Sequence, residues 1–243
     1  MTGEIFGRND KFDALSVFLP AFNEEGNIKE VVVKTKKVLQ EVAGKWEIVV
    51  VNDGSVDSTK KIVEDLQRED PRIKLVNHDK NRGYGASFKS GLYNSKYSWI
   101  AFIDSDGQFD FAEITKFLEK QKETGADLVI GYYKKRQVSK FKIITSKIWE
   151  FSVFILFGLK VHDIDCGFKL ISKKVIDKIP PLVSERGAFI SSELLIKAGN
   201  AGFKIVEVPV THYPRLKGVG TGRNLNVIIK SFIDLLRLWK KLH

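Results

Sequence analysis

Short apolar runs rich in Val, Ile and Phe recur along the first half of the chain: 15–20 (LSVFLP), 46–52 (WEIVVVN), 73–78 (IKLVNH), 97–104 (YSWIAFID) and 126–131 (ADLVIG). Helical periodicity fills the gaps. Between 26 and 43, Ile28, Val31, Val32, Thr35, Val38, Leu39 and Val42 form one broad stripe with Lys and Glu opposite. Residues 57–69 repeat the pattern with Ile62 and Leu66, and 110–124 with Phe111, Ile114, Phe117 and Leu118. Near-continuous apolar strands alternating with helices predict an α/β fold, with a mostly parallel sheet covered on both faces. The second half is less regular. It predicts a helix over 142–157, a polar turn at 162–167, a strand at 168–172 and a helix near 189–201. A strand at 203–210, a polar Gly-rich stretch from His212 to Arg223 and an amphipathic helix near 224–241 follow. No repeat or low-complexity linker interrupts the chain, which reads as a single domain over 1–243 with halves 14–131 and 132–243.

Ligands of such a sheet sit at the carboxyl ends of its strands, and the polar clusters fall there. They are Asn23-Glu24-Glu25, Asn52-Asp53-Gly54-Ser55 and Asp104-Ser105-Asp106. Alternation along an extended segment lets Asp104 and Asp106 aim two carboxylates at one point. Two such oxygens plus a diphosphate suit Mg²⁺ or Mn²⁺, and Gln108 adds a neutral oxygen. Turn and cap chemistry is the alternative reading of the same residues. The spacing at Asp110 and Phe111 does not fit a calcium loop, and neither a Rossmann glycine fingerprint nor a Walker loop is present. Asp53 ends a buried strand where a carboxylate can accept from a base N–H or a ribose hydroxyl, and Asp57 can cap the following helix. The run Asn81-Arg82-Gly83-Tyr84-Gly85 opens a further helix, where free N–H groups favour polar or anionic partners.

Composition narrows the partners. One Cys excludes a disulfide framework and a cysteine-rich zinc site. The longest charge-free apolar piece, between Glu150 and Lys160, is nine residues, too short to cross a bilayer. No signal-peptide pattern opens the chain, so the expectation is a cytoplasmic protein. The net charge of +10 is uneven: 19 Lys/Arg against 22 Asp/Glu in residues 1–131, then 21 against 8 in 132–243. A basic second half implies an anionic partner. The 224–241 stripe (Leu225, Ile228, Ile229, Phe232, Leu235, Leu236, Trp239) is flanked by Lys230, Arg237, Lys240 and Lys241, and the apolar 141–157 segment by Lys140, Lys142 and Lys147. Such helices can lie in a membrane interface or pack on the domain.

At four stretches the chain resembles glycosyltransferase family 2, inverting enzymes that use nucleotide sugars. They are Leu19-Pro20-Ala21-Phe22-Asn23-Glu24-Glu25, Val51-Asn52-Asp53-Gly54-Ser55 with Asp57-Ser58-Thr59, Asn81-Arg82-Gly83-Tyr84-Gly85, and Asp104-Ser105-Asp106-Gly107-Gln108. The later stretches Asp163-Ile164-Asp165-Cys166-Gly167-Phe168-Lys169-Leu170, Gly187-Ala188-Phe189-Ile190-Ser191-Ser192-Glu193-Leu194 and Glu207-Val208-Pro209-Val210 resemble the dolichyl-phosphate mannosyltransferase-like branch, which moves a sugar onto a polyprenyl phosphate. The resemblance covers roughly residues 14–238. It implies the nucleotide-diphospho-sugar transferase (GT-A) fold. By the same resemblance Pro20, Phe22, Glu24, Asp53 and Gly83 line the nucleotide-sugar pocket. Asp104 faces ribose and diphosphate, while Asp106 is the principal metal ligand, with Gln108 assisting. Arg136, Arg215 and Lys217 are the candidates for clamping acceptor or donor phosphates. Many relatives carry an Arg directly after the Gly that ends the fifth strand, where this chain has Gly131-Tyr132-Tyr133 and its first Arg at 136. The implied partners are a nucleotide sugar, a polyprenyl phosphate, an anionic membrane surface and a small membrane-anchoring protein. The implied location is the inner membrane face.

The chemistry agrees with that reading. Expelling a nucleoside diphosphate from a sugar C1 needs its charge neutralised by a metal and nearby cations. An acceptor phosphate is already anionic at neutral pH, whereas a hydroxyl acceptor needs a carboxylate base, for which Asp163, Asp165 and Glu193 are the candidates. Asp163 is favoured as an organiser of the acceptor site. Three rivals remain: the same chemistry on a soluble or cell-wall glycan acceptor, a nucleic-acid-binding protein suggested by charge alone, and a silent structural domain.

Overall fold

The computed structural model describes residues 11–134, 140–185, 187, 189–215 and 225–242, excepting the side chains of 140–144 and 225–230. Seven strands form one sheet: β1 (Phe12–Ala21), β2 (Ala43–Asp53), β3 (Ile73–His78), β4 (Trp99–Ile103), β5 (Leu128–Tyr133), β6 (Phe168–Ser172) and β7 (Ile205–Val210). The helices are α1 (Ile28–Val42), α2 (Thr59–Glu69), α3 (Tyr84–Asn94), α4 (Ile114–Thr124), α5 (Lys140–Phe157), α6 (Lys173–Lys178), α7 (Phe189–Asn200) and α8 (Leu225–Leu242). The strand order is β3-β2-β1-β4-β6-β5-β7. All pairings are parallel except those of β6, which runs antiparallel to both β4 and β5.

The apolar runs become strands because both sheet faces are covered. Leu15, Val17, Leu19, Ile48 and Val50 face one core with Val32 and Leu39 of α1, Val63 of α2 and Phe117 of α4. Their neighbours Phe18, Val49 and Val51 face the other with Phe88 of α3, Trp149 of α5, Leu194 of α7 and Leu235 of α8. Phe18, Phe88 and Phe102 join in ring contacts with centroids 4.8–5.1 Å apart. Three details differ from the sequence pattern. The short α6 follows β6 directly. The helix expected from residue 110 opens with a 3-10 turn at Phe111–Glu113, where Asp110 accepts from the Ala112 N–H at 3.0 Å. Finally, α1 runs straight into β2, with Ala43 already extended.

This topology brings the carboxyl ends of β1, β2 and β4 side by side. The reversed β6 lays its entry segment, residues 163–167, against the end of β4, where the Asp104 N–H donates to the Gly167 carbonyl at 3.2 Å.

Candidate active site

The turn after β1 is sewn to the turn after β2. Asn23 N–H donates to Ser55 Oγ at 2.9 Å, Val56 N–H to Asn23 Oδ1 at 2.9 Å, and Glu24 N–H to Thr59 Oγ1 at 2.8 Å. Asp57 accepts from the Thr59 N–H at 3.0 Å from one position before the N-cap Ser58, whose own side chain makes no cap bond. Ser105 Oγ donates to the Pro20 carbonyl at 2.5 Å, tying the end of β1 to the Asp104-Ser105-Asp106 turn. Phe22 projects outward, 39% exposed, at the rim.

Glu24, Asp106 and Arg215 meet above these turns. Arg215 Nη2 bonds Glu24 Oε1, and its Nη1 lies 3.6 Å from Asp106 Oδ2. Asn27 Nδ2 donates to the other Glu24 oxygen at 2.7 Å. Asp106 Oδ1 accepts from the Gln108 N–H at 3.0 Å. Gln108 is zipped to the segment carrying Arg215: its Nε2 donates to the Tyr213 carbonyl at 3.0 Å and its carbonyl accepts from the Tyr213 N–H at 2.8 Å. The amide nitrogen is thereby engaged, so the side-chain oxygen is what Gln108 offers to a cation.

Asp104 lies deeper. Its Oδ1 accepts from the Tyr84 hydroxyl at 3.1 Å. A Cβ on Gly167 would come within 2.0 Å of Asp104 Oδ2, so only glycine fits there. Burial, then the charge of Asp106, pushes the Asp104 carboxyl up to about 7, against the pull of Tyr84 and Lys169. Two carboxylates held together this way are short of positive charge, which is the donor chemistry a divalent cation satisfies. Among the described residues no group of three or more His, Cys, Asp or Glu side chains is poised to hold an ion. A pair of carboxylates is the donor set of a divalent ion that also takes substrate oxygens.

The raised Asp104 carries a pH signature. Between its ordinary value of 3.8 and about 7 the folded chain holds a proton that the unfolded chain releases, so its contribution to stability falls as pH rises through that window. From about pH 5 to about pH 7, ordinary carboxylates are already ionised in both states. In that range the metal-free wild type is expected to lose more melting temperature than Asp104→Asn. Parallel curves from calorimetry would contradict the assignment.

Two carboxylates expected at ligands are engaged by main-chain donors. Asp53 is 3% exposed, and its oxygens accept from Arg82 N–H at 2.9 Å, Gly83 N–H at 2.8 Å and His78 Nδ1 at 2.7 Å. It organises the loop before α3, and the Gly83 N–H is engaged in that bond. Glu193, expected at the acceptor site, is fully buried in α7. It pairs with Lys197 at 2.6 Å and accepts from Val183 and Ser184 N–H groups, both at 2.9 Å. Burial alone would raise its carboxyl, but these donors hold it below the usual range. Asp163 is 2% exposed in the segment entering β6. Arg136 and Lys217 lie outside the described residues, as do the side chains of Leu225, Ile228 and Ile229.

Lys169 and Tyr84 do not stand out in the sequence as site residues. Lys169 is fully buried on β6, and its Nζ bonds the Cys166 carbonyl. Burial lowers its ammonium, while Cys166, Asp165, Asp163 and Asp104 oppose the shift. A lysine between Phe168 and Leu170 in an apolar strand was the available signal. The Cys166 thiol is pushed up to about 12, chiefly by burial, which leaves it unreactive.

The chain matches glycosyl transferase family 2 over residues 16–180. Among curated relatives it is 30% identical to a dolichyl-phosphate beta-glucosyltransferase of Trichomonas vaginalis, covering 93% of this chain and 74% of the relative. It is 29% identical to polyprenol monophosphomannose synthase of Mycolicibacterium smegmatis, covering 87% and 82%. Its fold is similar to that of glucosyl-3-phosphoglycerate synthase from Mycobacterium tuberculosis solved with Mn²⁺ and UDP-glucose, with TM-score 0.70 and 20% identity over 93% of this chain and 79% of that one. Mannosyl-3-phosphoglycerate synthase from Rubrobacter xylanophilus gives TM-score 0.71 at 15% identity, over 94% and 75%. These likenesses agree with the GT-A fold expected from sequence. The family match takes in β2 to β6 whole and most of β1, the strands whose ends carry Glu24, Asp104 and Asp106, so the chain is a glycosyltransferase and belongs to glycosyl transferase family 2.

Proposed function

We propose that this enzyme moves a hexosyl group from a nucleotide sugar onto a phosphate-bearing acceptor, with Mg²⁺ or Mn²⁺ held by Asp104, Asp106 and the donor diphosphate. The observation that carries the reading is the convergence of Asp104, Asp106, Glu24 and Arg215 at the carboxyl edge of the sheet. A bound metal would neutralise the departing diphosphate. Arg215 supplies a second positive charge at the same place, fixed in advance by Glu24. Glu24 and Phe22 flank the nucleotide side. Asp163 and Lys169 are both buried, with Lys169 in electrostatic reach of Asp163 and Asp104, and an anionic acceptor needs no strong base.

Two acceptors are supported by different observations. Polyprenyl phosphate is favoured by the names of the relatives near 30% identity and by the apolar surface of α5, where Ile148, Phe151 and Ile155 are 53%, 63% and 64% exposed. Leu236 and Trp239 of α8 add to it, with Arg237 exposed beside them. Among the described residues no helix is long and apolar enough to cross a membrane. A soluble phosphorylated acceptor is favoured by the solved structures, whose names specify 3-phosphoglycerate. Assay with GDP- and UDP-hexoses, Mn²⁺, and either polyprenyl phosphate in vesicles or 3-phosphoglycerate separates the two. Product with neither acceptor would remove the proposal.

The membrane reading makes its own prediction. Phe151→Asp with Ile155→Asp is expected to weaken binding to anionic vesicles at least about tenfold, since burying each side chain contributes about 1.5–3 kcal/mol. Flotation with phosphatidylglycerol vesicles measures it, and unchanged binding would count against a membrane face on α5.

A further inference from the structure

We propose that Tyr84 is a positioning residue for the metal ligand Asp104, and that Asp53 and Glu193 act on the site through it. The inference rests on the metal reading above. It assigns a task to a residue outside the carboxylate cluster itself.

The geometry is specific. Tyr84 begins α3, and its hydroxyl donates to Asp104 Oδ1 at 3.1 Å. Its ring meets the Phe102 ring edge-on at 6.3 Å, and Phe102 lies two residues before Asp104 on the same segment. On the other side, Asp104 Oδ2 rests against the backbone of Gly167. One oxygen is hydrogen-bonded and the other is backed by main chain, so the carboxylate has little freedom to turn. A ligand whose orientation is fixed before the ion arrives loses less entropy on binding it.

Tyr84 can do this only if the start of α3 is itself immobile, and it is clamped from two elements. From β2, Asp53 takes the N–H groups of Arg82 and Gly83. From the segment before α7, the Glu185 carbonyl accepts from Ala86 N–H at 2.9 Å, and the Glu185 carboxylate takes Lys89 Nζ at 3.2 Å. The two chains touch so closely that a Cβ on Gly85 would lie 2.9 Å from the Glu185 carbonyl. That segment is in turn anchored by Glu193 at Val183 and Ser184, and by Lys197 donating to the Pro181 carbonyl at 2.7 Å. The two carboxylates that the sequence places at ligands thus hold the backbone that holds Tyr84.

Tyr84→Phe keeps the ring and its contact with Phe102 and removes only the hydroxyl. Mn²⁺ binding to the whole chain, followed by electron paramagnetic resonance in the presence of UDP or GDP, is expected to weaken about 10- to 100-fold, the usual effect of losing an outer-shell partner. Metal-free nucleotide binding should stay at its wild-type value, the lost bond should lower the melting temperature only modestly, and most turnover should return at saturating Mn²⁺. A merely structural tyrosine would lower the melting temperature and leave Mn²⁺ affinity alone, which would overturn the inference. Asp106→Asn serves as the reference. If wild type binds Mn²⁺, Asp106→Asn does not, and Tyr84→Phe equals wild type, only the role of Tyr84 falls. If wild type itself binds no Mn²⁺ with either nucleotide, the metal reading falls and this inference with it.

Discussion

Asp106→Asn is expected to lower sugar transfer by about a thousandfold or more, a loss of several kcal/mol of transition-state stabilisation, while the chain still folds. Asparagine has nearly the same shape and can still accept from the Gln108 N–H through its Oδ1. What disappears is the negative charge that faces Arg215 and that would be shared with a cation and a diphosphate. The neighbour should respond as well. The charge of Asp106 is the second cause, after burial, of the raised Asp104 carboxyl, so Asp104 should ionise at lower pH in the variant. Turnover at saturating Mg²⁺ or Mn²⁺, measured beside circular dichroism, checks the first effect, and activity near wild type would remove Asp106 from the metal site. The pH dependence of melting checks the second.

Much of this site can be read from residue order, for a physical reason. Strands buried on both faces must be apolar almost throughout, so a polar cluster at their ends stands out, and Asp104-Ser105-Asp106 follows Trp99–Ile103 without a gap. The stripe of α1 shows in the same way, because Val32, Thr35 and Leu39 must all be buried. Orientation is harder to read. Nothing in Phe168–Ser172 says that β6 runs against its neighbours, because a strand with both faces covered has the same composition in either direction. Nor does a carboxylate at a strand end reveal whether it faces a ligand or a backbone amide. Asp53 and Glu193 look like ligand residues in the sequence, and in the structure each is a buried carboxylate satisfied by main-chain N–H groups. Tyr84 is less visible still. Its role depends on a hydroxyl meeting a residue twenty positions away, a pairing set by the approach of α3 to the end of β4.

Arg215→Ala is expected to cost about 30- to 5,000-fold in turnover, or about 2–5 kcal/mol for a charge pair largely removed from water. The basic second half of the sequence favours an acceptor phosphate for this residue, with a donor phosphate as the alternative. The guanidinium lies on Glu24 in the turn after β1 and on Asp106 in the turn after β4, the side proposed above for the nucleotide diphosphate. A cation there would stabilise the leaving group whatever accepts the sugar. Transfer to an acceptor and slow hydrolysis of the nucleotide sugar by water should therefore fall together. A cation serving only the acceptor phosphate would instead depress transfer and spare hydrolysis. Arg215→Lys should recover little, because one ammonium cannot bond Glu24 and face Asp106 in the forked geometry of a guanidinium. Both rates measured on the same two variants, with nucleotide affinity as a third reading, decide between the sides. Loss confined to transfer would move Arg215 to the acceptor, and no loss in either would make it a brace for the segment at Tyr213, already tied to Gln108.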